Sequence, residues 1–150
     1  MMQEEIEARV WQRVLQQSQT QPEEEMLRDW IADTLAAQKS YQAMAKMTGS
    51  QRYRTMAAAE MQQAKELSAL MFLIYGTRER IFSGAAEGKR ALTASVRSRY
   101  AAETAAEKSF REAAERWTEH REVFGKMAQT AARHREILRH EAQKYAVPMR

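Results

Sequence analysis

The sequence predicts an all-α protein built around a four-helix bundle, and three observations lead to this fold class. Glycine and proline are scarce, with five glycines and two prolines among 150 residues, whereas proteins made of strands and turns need many of them. The long segments between these residues are rich in alanine, glutamate, glutamine, lysine and arginine, which are strong helix formers. Apolar residues recur along these segments at the three- and four-residue spacing of amphipathic helices.

Composition and charge exclude several kinds of site and partner. The chain has no cysteine, so disulfides, cysteine-ligated metal centres and cysteine nucleophiles are excluded. Positive and negative residues alternate along the chain and sum to only +4 at pH 7, and no groove-reading motif is present, so we expect no nucleic-acid partner. The amino end does not resemble a secretory signal, and no apolar run approaches the roughly 20 residues of a membrane span. We therefore expect a cytoplasmic protein that does not insert into membranes.

Five residues mark the predicted helix boundaries: Pro22, Gly49, Gly76, Gly125 and Pro148. Residues 1–21 are predicted to form a short N-terminal helix that lies across an end or side of the bundle or at a subunit contact. Residues 22–147 are predicted to form the bundle itself. Its first helix starts near Pro22, because proline loses no hydrogen bond in a first helical turn and three glutamates follow it at the positive end of the helix dipole.

The connections between the helices predict how the bundle is threaded. The first two helices turn around Gly49 and the last two around Glu119 to Val123, and such short turns join antiparallel neighbours. These two hairpins, residues 22–75 and 91–146, are joined by a segment from Gly76 to about Arg90 that is long enough to return along the bundle. One long crossover between two helical hairpins is the ferritin-like arrangement.

The two hairpins are similar to each other in sequence. Residues 36–45 read AAQKSYQAMA and residues 105–114 read AAEKSFREAA, with five identical positions and an aromatic residue at the same place. The second helices match over MAAAEMQQAKEL and MAQTAARHREIL, which begin at residues 56 and 127. We interpret this internal repeat as a duplicated hairpin, which predicts a pseudo-twofold axis in the bundle.

A polar layer interrupts the apolar seams about halfway along the four helices. It comprises Thr34, Gln38, Glu60, Gln63, Glu103, Glu107 and His134. Because an unpaired carboxylate in a protein interior is strongly destabilising, three glutamates directed at one interior require cations, protons or hydrogen-bond donors beside them. This layer is therefore the candidate functional site.

The layer resembles the di-iron site of ferritin-like proteins, especially those of the rubrerythrin group. The pattern of that family, which this chain keeps in part, is an inward acidic residue seven positions before an aromatic residue on the first and third helices, and Glu-x-x-His on the second and fourth. Residues 26–75, with IADTLAAQKSYQAMAK and AAEMQQAKEL, resemble the first hairpin of such proteins, and residues 96–140 resemble the second. The resemblance implies a ferritin-like fold and metal ligands at the matching positions.

The ligand set that the resemblance implies is incomplete, and three matching ligands remain: Glu60, Glu103 and His134. Thr34 stands where the first helix of the family has a glutamate, and Gln63 stands where the second has its histidine. Ala131 replaces one of the two bridging glutamates. Because the losses fall mainly on one iron position, the resemblance implies a degenerate site that holds either a single iron, manganese or zinc ion or no metal.

The sequence leaves two functions open. In the first, a protonated His134 lies between Glu60 and Glu103 in a metal-free hydrogen-bond network, and the protein has a non-catalytic binding or accessory role. In the second, these three residues bind one metal ion in a protein of oxidative-stress or metal handling, with Tyr41 as a nearby phenol.

Oxygen chemistry of the rubrerythrin type is not expected of this chain. The di-iron ligand set is incomplete, and the cysteines of the rubredoxin-type iron that rubrerythrins carry are absent. We therefore assign no catalytic residue. We expect a homodimer, formed through the N-terminal helix or an alanine-rich outer face.

Overall fold

The computed structural model describes residues 2–19, 21–81 and 91–145 of the chain, with side chains over residues 2–10, 21–81 and 91–145. Within these ranges the chain is helical and contains no β-strand, which confirms the all-α class. The helices are α1 (Met2–Gln19), α2 (Glu24–Thr48), α3 (Gln51–Tyr75), α4 (Leu92–Arg116) and α5 (Arg121–Lys144), with a 3₁₀ turn at Thr118–His120. None of the described helices is both long and apolar enough to span a membrane.

Glycines terminate α2 and α3, as the sequence predicts. Gly49 and Gly76 have φ angles of 68° and 73°, in the left-handed region that favours glycine. Each glycine donates its backbone N–H to the carbonyl of the residue four positions earlier. The next helix then starts at once, because the Ser50 hydroxyl accepts the backbone N–H of Arg52 and caps α3.

The predicted boundary at Gly125 is wrong. The turn between α4 and α5 begins at Trp117, and α5 starts at Arg121 and continues through Gly125. A Cβ atom added at Gly125 would have no neighbour within 4 Å. This glycine therefore forms no part of a turn, and it weakens the helix by about 1 kcal/mol relative to alanine.

Two hydrophobic clusters fill the two ends of the bundle and reveal the direction of each helix. The first cluster joins the starts of α2 and α5 to the ends of α3 and α4, as in Leu27, Phe124, Leu70 and Trp117. The second joins the opposite ends of the same helices, as in Met44, Leu138, Tyr53 and Val96. Helices α3 and α4 therefore run in the same direction, and the segment between them begins and ends at opposite ends of the bundle.

The packing of the helices agrees with two hairpins laid side by side. Helix α2 packs mainly against α3, and α4 packs mainly against α5. Smaller contacts join α2 to α4 and α3 to α5, whereas the described parts of α3 and α4 share none. Helices α3 and α4 are therefore diagonal neighbours although they follow each other in sequence. Residues 82–90 of the segment that joins them lie outside the described residues.

Helix α1 has no contact with another helix within the described part of the chain. Residues 2–10 are all exposed, including Met2, Ile6 and Val10. The predicted docking of the N-terminal helix across the bundle is therefore not observed in these residues, while the side chains of residues 11–19 lie outside the description. The alternative, a subunit contact in a homodimer, stays a prediction.

Two alanine substitutions test the helix boundaries. Gly125→Ala should raise the free energy of unfolding by about 0.5–1 kcal/mol, because it adds a better helix former in open space. Gly49→Ala should lower it by about 1 kcal/mol, because alanine is strained at a positive φ. Urea unfolding of both variants measures the two changes. A destabilised Gly125→Ala variant would contradict the continuous helix α5.

Candidate metal site in the bundle interior

Three helices bring the surviving ligand residues together at the middle of the bundle. Glu60 lies on α3, Glu103 on α4 and His134 on α5, and each is between 2% and 4% exposed. One ligand atom from each side chain lies within 4.8 Å of the other two. The structure therefore brings together the three residues that the sequence selects, between the two hydrophobic clusters.

The His134 imidazole bridges the two carboxylates. Its Nδ1 atom lies 3.1 Å from Oε1 of Glu60 and 3.8 Å from Oε1 of Glu103. A protonated Nδ1 donates a hydrogen bond to Glu60 at this distance, whereas its interaction with Glu103 is an ion pair without a hydrogen bond. The imidazole thus interacts with both carboxylates at once.

Glu103 has two further positive or donating neighbours. Its Oε1 atom accepts a hydrogen bond of 2.8 Å from the Tyr41 hydroxyl and one of 3.1 Å from Nη2 of Arg99. Tyr41 is fully buried, and its ring lies edge-on to the His134 ring. Arg99 is not among the site residues that the sequence predicts. Its position one helical turn before Glu103 is the signal that could have identified it.

The protonation states follow from burial and from these contacts. Burial raises the pKa of Glu60 to about 7. Burial alone would lower the pKa of His134, but its interactions with the Glu103 and Glu60 carboxylates raise that pKa to about 9. Burial would raise the pKa of Glu103, but His134 and Arg99 outweigh it and the pKa is lowered. At neutral pH His134 is therefore a cation and Glu103 an anion, whereas the Glu60 carboxyl keeps its proton to a higher pH than an exposed glutamate does.

The other half of the layer is neutral. The Gln63 amide donates a hydrogen bond of 3.1 Å to the Thr34 hydroxyl, which itself donates to the backbone carbonyl of Trp30. Gln38 is buried nearby, and its Oε1 atom has no hydrogen-bond partner within the described residues. These residues contribute no charge to the bundle interior.

Glu107 does not belong to the cluster, contrary to the sequence prediction. It is half-buried, and its carboxylate pairs with Arg135 at 2.8 Å and with Arg111 at 3.7 Å. Glu107 lies four residues after Glu103, and helical positions four apart are offset by about 40° around the axis. That offset turns Glu107 towards the arginines at the edge of the α4–α5 interface.

A cleft of about 370 Å³ between α2 and α4 leads to the buried cluster. Its walls are formed mostly by small side chains: Ala36, Ala37, Ala102, Ala105 and Ala106. Glu60, Glu103 and Arg99 are among the charged residues that line it, together with Gln63 and Thr34. The alanines leave the space between the two helices only partly filled, so small solutes have a route to the site.

The remaining donor set fits one divalent metal ion and does not fit a dinuclear centre. Two carboxylates and one imidazole are ligands that iron, manganese and zinc accept. Ligand atoms on one ion lie at most about 4.4 Å apart when each bond is roughly 2.2 Å, so small side-chain movements would close the set. A second ion would have to lie beside Thr34 and Gln63, which are uncharged and already hydrogen-bonded to each other.

The chain matches no protein-family model, no curated protein and no solved structure. The assignment of a function therefore depends on the geometry of the fold and of this site.

The raised pKa of His134 predicts a pH dependence of stability. Because the folded state holds this proton more tightly than the unfolded chain, whose histidine pKa is about 6.5, the stabilisation is complete below pH 6.5 and is lost as the pH rises through about 9. We expect the free energy of unfolding to fall by roughly 1–3 kcal/mol over this interval. Urea unfolding at several pH values measures it.

His134→Gln should remove most of this slope, and the exposed His140→Gln serves as the matched control. A wild-type protein with equal stability at pH 6.5 and at pH 9.5 would contradict the protonated histidine.

Proposed function

We propose that this chain is a ferritin-like protein, related to the rubrerythrin group, whose di-iron site has become a metal-free charged network. Its role is then non-catalytic binding or an accessory function. The arrangement of the helices supports the proposal, because two antiparallel hairpins with diagonal α3 and α4 are what a ferritin-like bundle requires. The polar layer lies where that fold holds its metal.

The internal repeat supports the same proposal. An offset of 69 residues relates Thr34 to Glu103, and an offset of 71 residues relates Gln63 to His134. In the first hairpin Thr34 and Gln63 make contact through a hydrogen bond of 3.1 Å, and in the second Glu103 and His134 make contact through an ion pair of 3.8 Å. Equivalent positions of the two hairpins thus meet in equivalent ways, as expected of a duplicated unit whose two copies have diverged.

The hydrogen bond between Gln63 and Thr34 is the observation that carries the proposal. The family resemblance implies a glutamate at position 34 and a histidine at position 63, both bound to one iron. Here a neutral amide donates directly to a hydroxyl, and the pair satisfies its own hydrogen bonds without an ion. One iron position is therefore occupied by an uncharged pair in place of an anionic and an imidazole ligand.

The charged half of the layer is also satisfied without a metal. Two glutamates face two cationic side chains, His134 and Arg99, and the Tyr41 hydroxyl supplies a further hydrogen bond. This set approaches charge neutrality, which a buried cluster needs. The geometry therefore favours the network over a metal centre as the resting state of the protein.

A second candidate function is the binding of a single iron, manganese or zinc ion for metal handling. The close approach of the three ligand atoms favours it, and so does the cleft that leads to them. Glu60, Glu103 and His134 would hold the ion, and a bound ion would supply Lewis-acid or redox chemistry beside Tyr41. His134 would have to give up its Nδ1 proton before it could act as a ligand through that atom.

Metal analysis of protein purified without chelator separates the two candidates. We expect substoichiometric iron, manganese and zinc in the wild type, and no rise in Tm when Mn(II) is added, because an ion that binds only the folded state must stabilise it. His134→Ala and the exposed control His140→Ala should show the same metal content. One ion per chain in the wild type that is lost in His134→Ala alone would support the mononuclear site instead.

The two glutamates should respond differently to substitution by glutamine. Glu60→Gln imitates the protonated acid, so below pH 7 it should change the free energy of unfolding by less than about 1 kcal/mol. Glu103→Gln removes the anion that Arg99 and His134 face, and should destabilise the protein by roughly 3–5 kcal/mol. Urea unfolding at pH 6 compares the two variants. Equal losses in both would contradict the assignment of the proton to Glu60.

A further inference from the structure

Arg99 is held in the bundle interior by the candidate site itself. Its side chain is 15% exposed, and its Nη2 atom lies 3.1 Å from Oε1 of Glu103. The guanidinium carbon lies 5.2 Å from the centre of the Tyr41 ring, within the range of a cation–π interaction. Arg97 and Arg111 on the same helix are exposed, so burial is a property of this position and not of arginines on α4 in general.

The same oxygen of Glu103 is shared by several donors. It accepts from Tyr41 at 2.8 Å and from Arg99 at 3.1 Å, and it lies 3.8 Å from Nδ1 of His134. An incoming cation that used this oxygen would have to replace one of these neighbours. Arg99 is the neighbour that also lines the α2–α4 cleft, so it lies on the route by which an ion would arrive.

Arg99 would leave the metal-bound form of the cluster with an excess positive charge. Glu60 and Glu103 as anions contribute two negative charges, and a divalent ion on them with a neutral imidazole would cancel both. The guanidinium would then remain as an excess positive charge close to the ion, in an interior where such repulsion is weakly screened. Without Arg99, the metal-bound form would be neutral.

We propose that Arg99 is a tethered counter-ion that takes the charge-neutralising position of a metal ion beside Glu103 and excludes divalent cations from the site. The inference rests on the proposed metal-free function and adds the residue that maintains it. Arginine suits this task because it stays charged at every physiological pH and stacks on aromatic rings. A divalent ion should therefore bind when the charge of residue 99 is removed.

Cobalt(II) tests this inference, because its visible absorption reports coordination by protein ligands. Co(II) would be titrated into the full chain as wild type, Arg99→Met and Arg99→Lys, with the exposed Arg97→Met as the matched control. We expect Arg99→Met to bind one Co(II) per chain about tenfold or more tightly than the wild type. Arg99→Lys and Arg97→Met should behave like the wild type.

A second substitution ties the bound ion to this site. Glu103→Gln in the Arg99→Met background should abolish the Co(II) spectrum. Co(II) bound elsewhere on the protein surface would not be lost with this substitution. Arg99→Gln gives an independent neutral variant that keeps a hydrogen-bond donor near Glu103 and hence the packing of the interior. It should gain Co(II) in the same way. Circular dichroism would establish that each variant is folded before titration.

The outcomes separate failure of this inference from failure of the proposed function. If the wild type is metal-free and the folded Arg99→Met and Arg99→Gln variants gain no affinity for Co(II), the counter-ion role of Arg99 is overturned and the metal-free function stands. If the wild type itself binds one Co(II) per chain, as tightly as Arg99→Met does, both the counter-ion role of Arg99 and the metal-free function are overturned. A gain in the neutral variants alone, lost again with Glu103→Gln, supports the inference.

Discussion

The structure depends on how two carboxylates are neutralised in the interior of a four-helix bundle. Glu60 and Glu103 are 4% and 2% exposed, and isolated anions in such surroundings would be strongly destabilising. His134 lies between them, and Arg99 reaches Glu103 from one helical turn away on α4. The positive charges are thus supplied by side chains of the protein itself. Because these contacts join α3, α4 and α5, the network also fixes the register of the helices that carry it.

The rest of the bundle is organised around this layer. Apolar and aromatic clusters fill both ends, so the charged groups are confined to the middle. Within the layer the two hairpins contribute different groups. The first contributes the neutral pair Thr34 and Gln63, and the second contributes Glu103 and His134. Small alanines between α2 and α4 leave a cleft to the charged half. The proposed loss of one metal position would explain this asymmetry, and the proposed role of Arg99 would explain why the other position stays metal-free.

Much of the fold could be predicted from the sequence because the spacing of apolar residues and the helix-ending glycines act locally. The convergence of Glu60, Glu103 and His134 was also predictable, since each interrupts an apolar seam at the same height. Gly125 was misjudged because glycine outside a turn costs a helix only about 1 kcal/mol, which the packing of α5 readily outweighs. Arg99 and Glu107 could not be assigned correctly, because the direction of a long charged side chain at the edge of a seam depends on the neighbouring helices. Pairing of Arg99 with Glu103 and of Glu107 with Arg135 becomes evident only after the helices are packed.

If the positive charge beside the buried glutamates comes from the protein itself, His134 is protonated at neutral pH. Nitrogen-15 NMR of protein with labelled histidine distinguishes an imidazolium, in which both ring nitrogens carry protons, from a neutral ring. We expect an imidazolium at His134 both in protein treated with chelator and in untreated protein. The signals of His134 are identified by their loss in His134→Gln. A neutral ring with one metal-bound nitrogen in the untreated protein would show that a metal ion supplies the positive charge. A neutral ring in the chelated protein would show that His134 does not supply it.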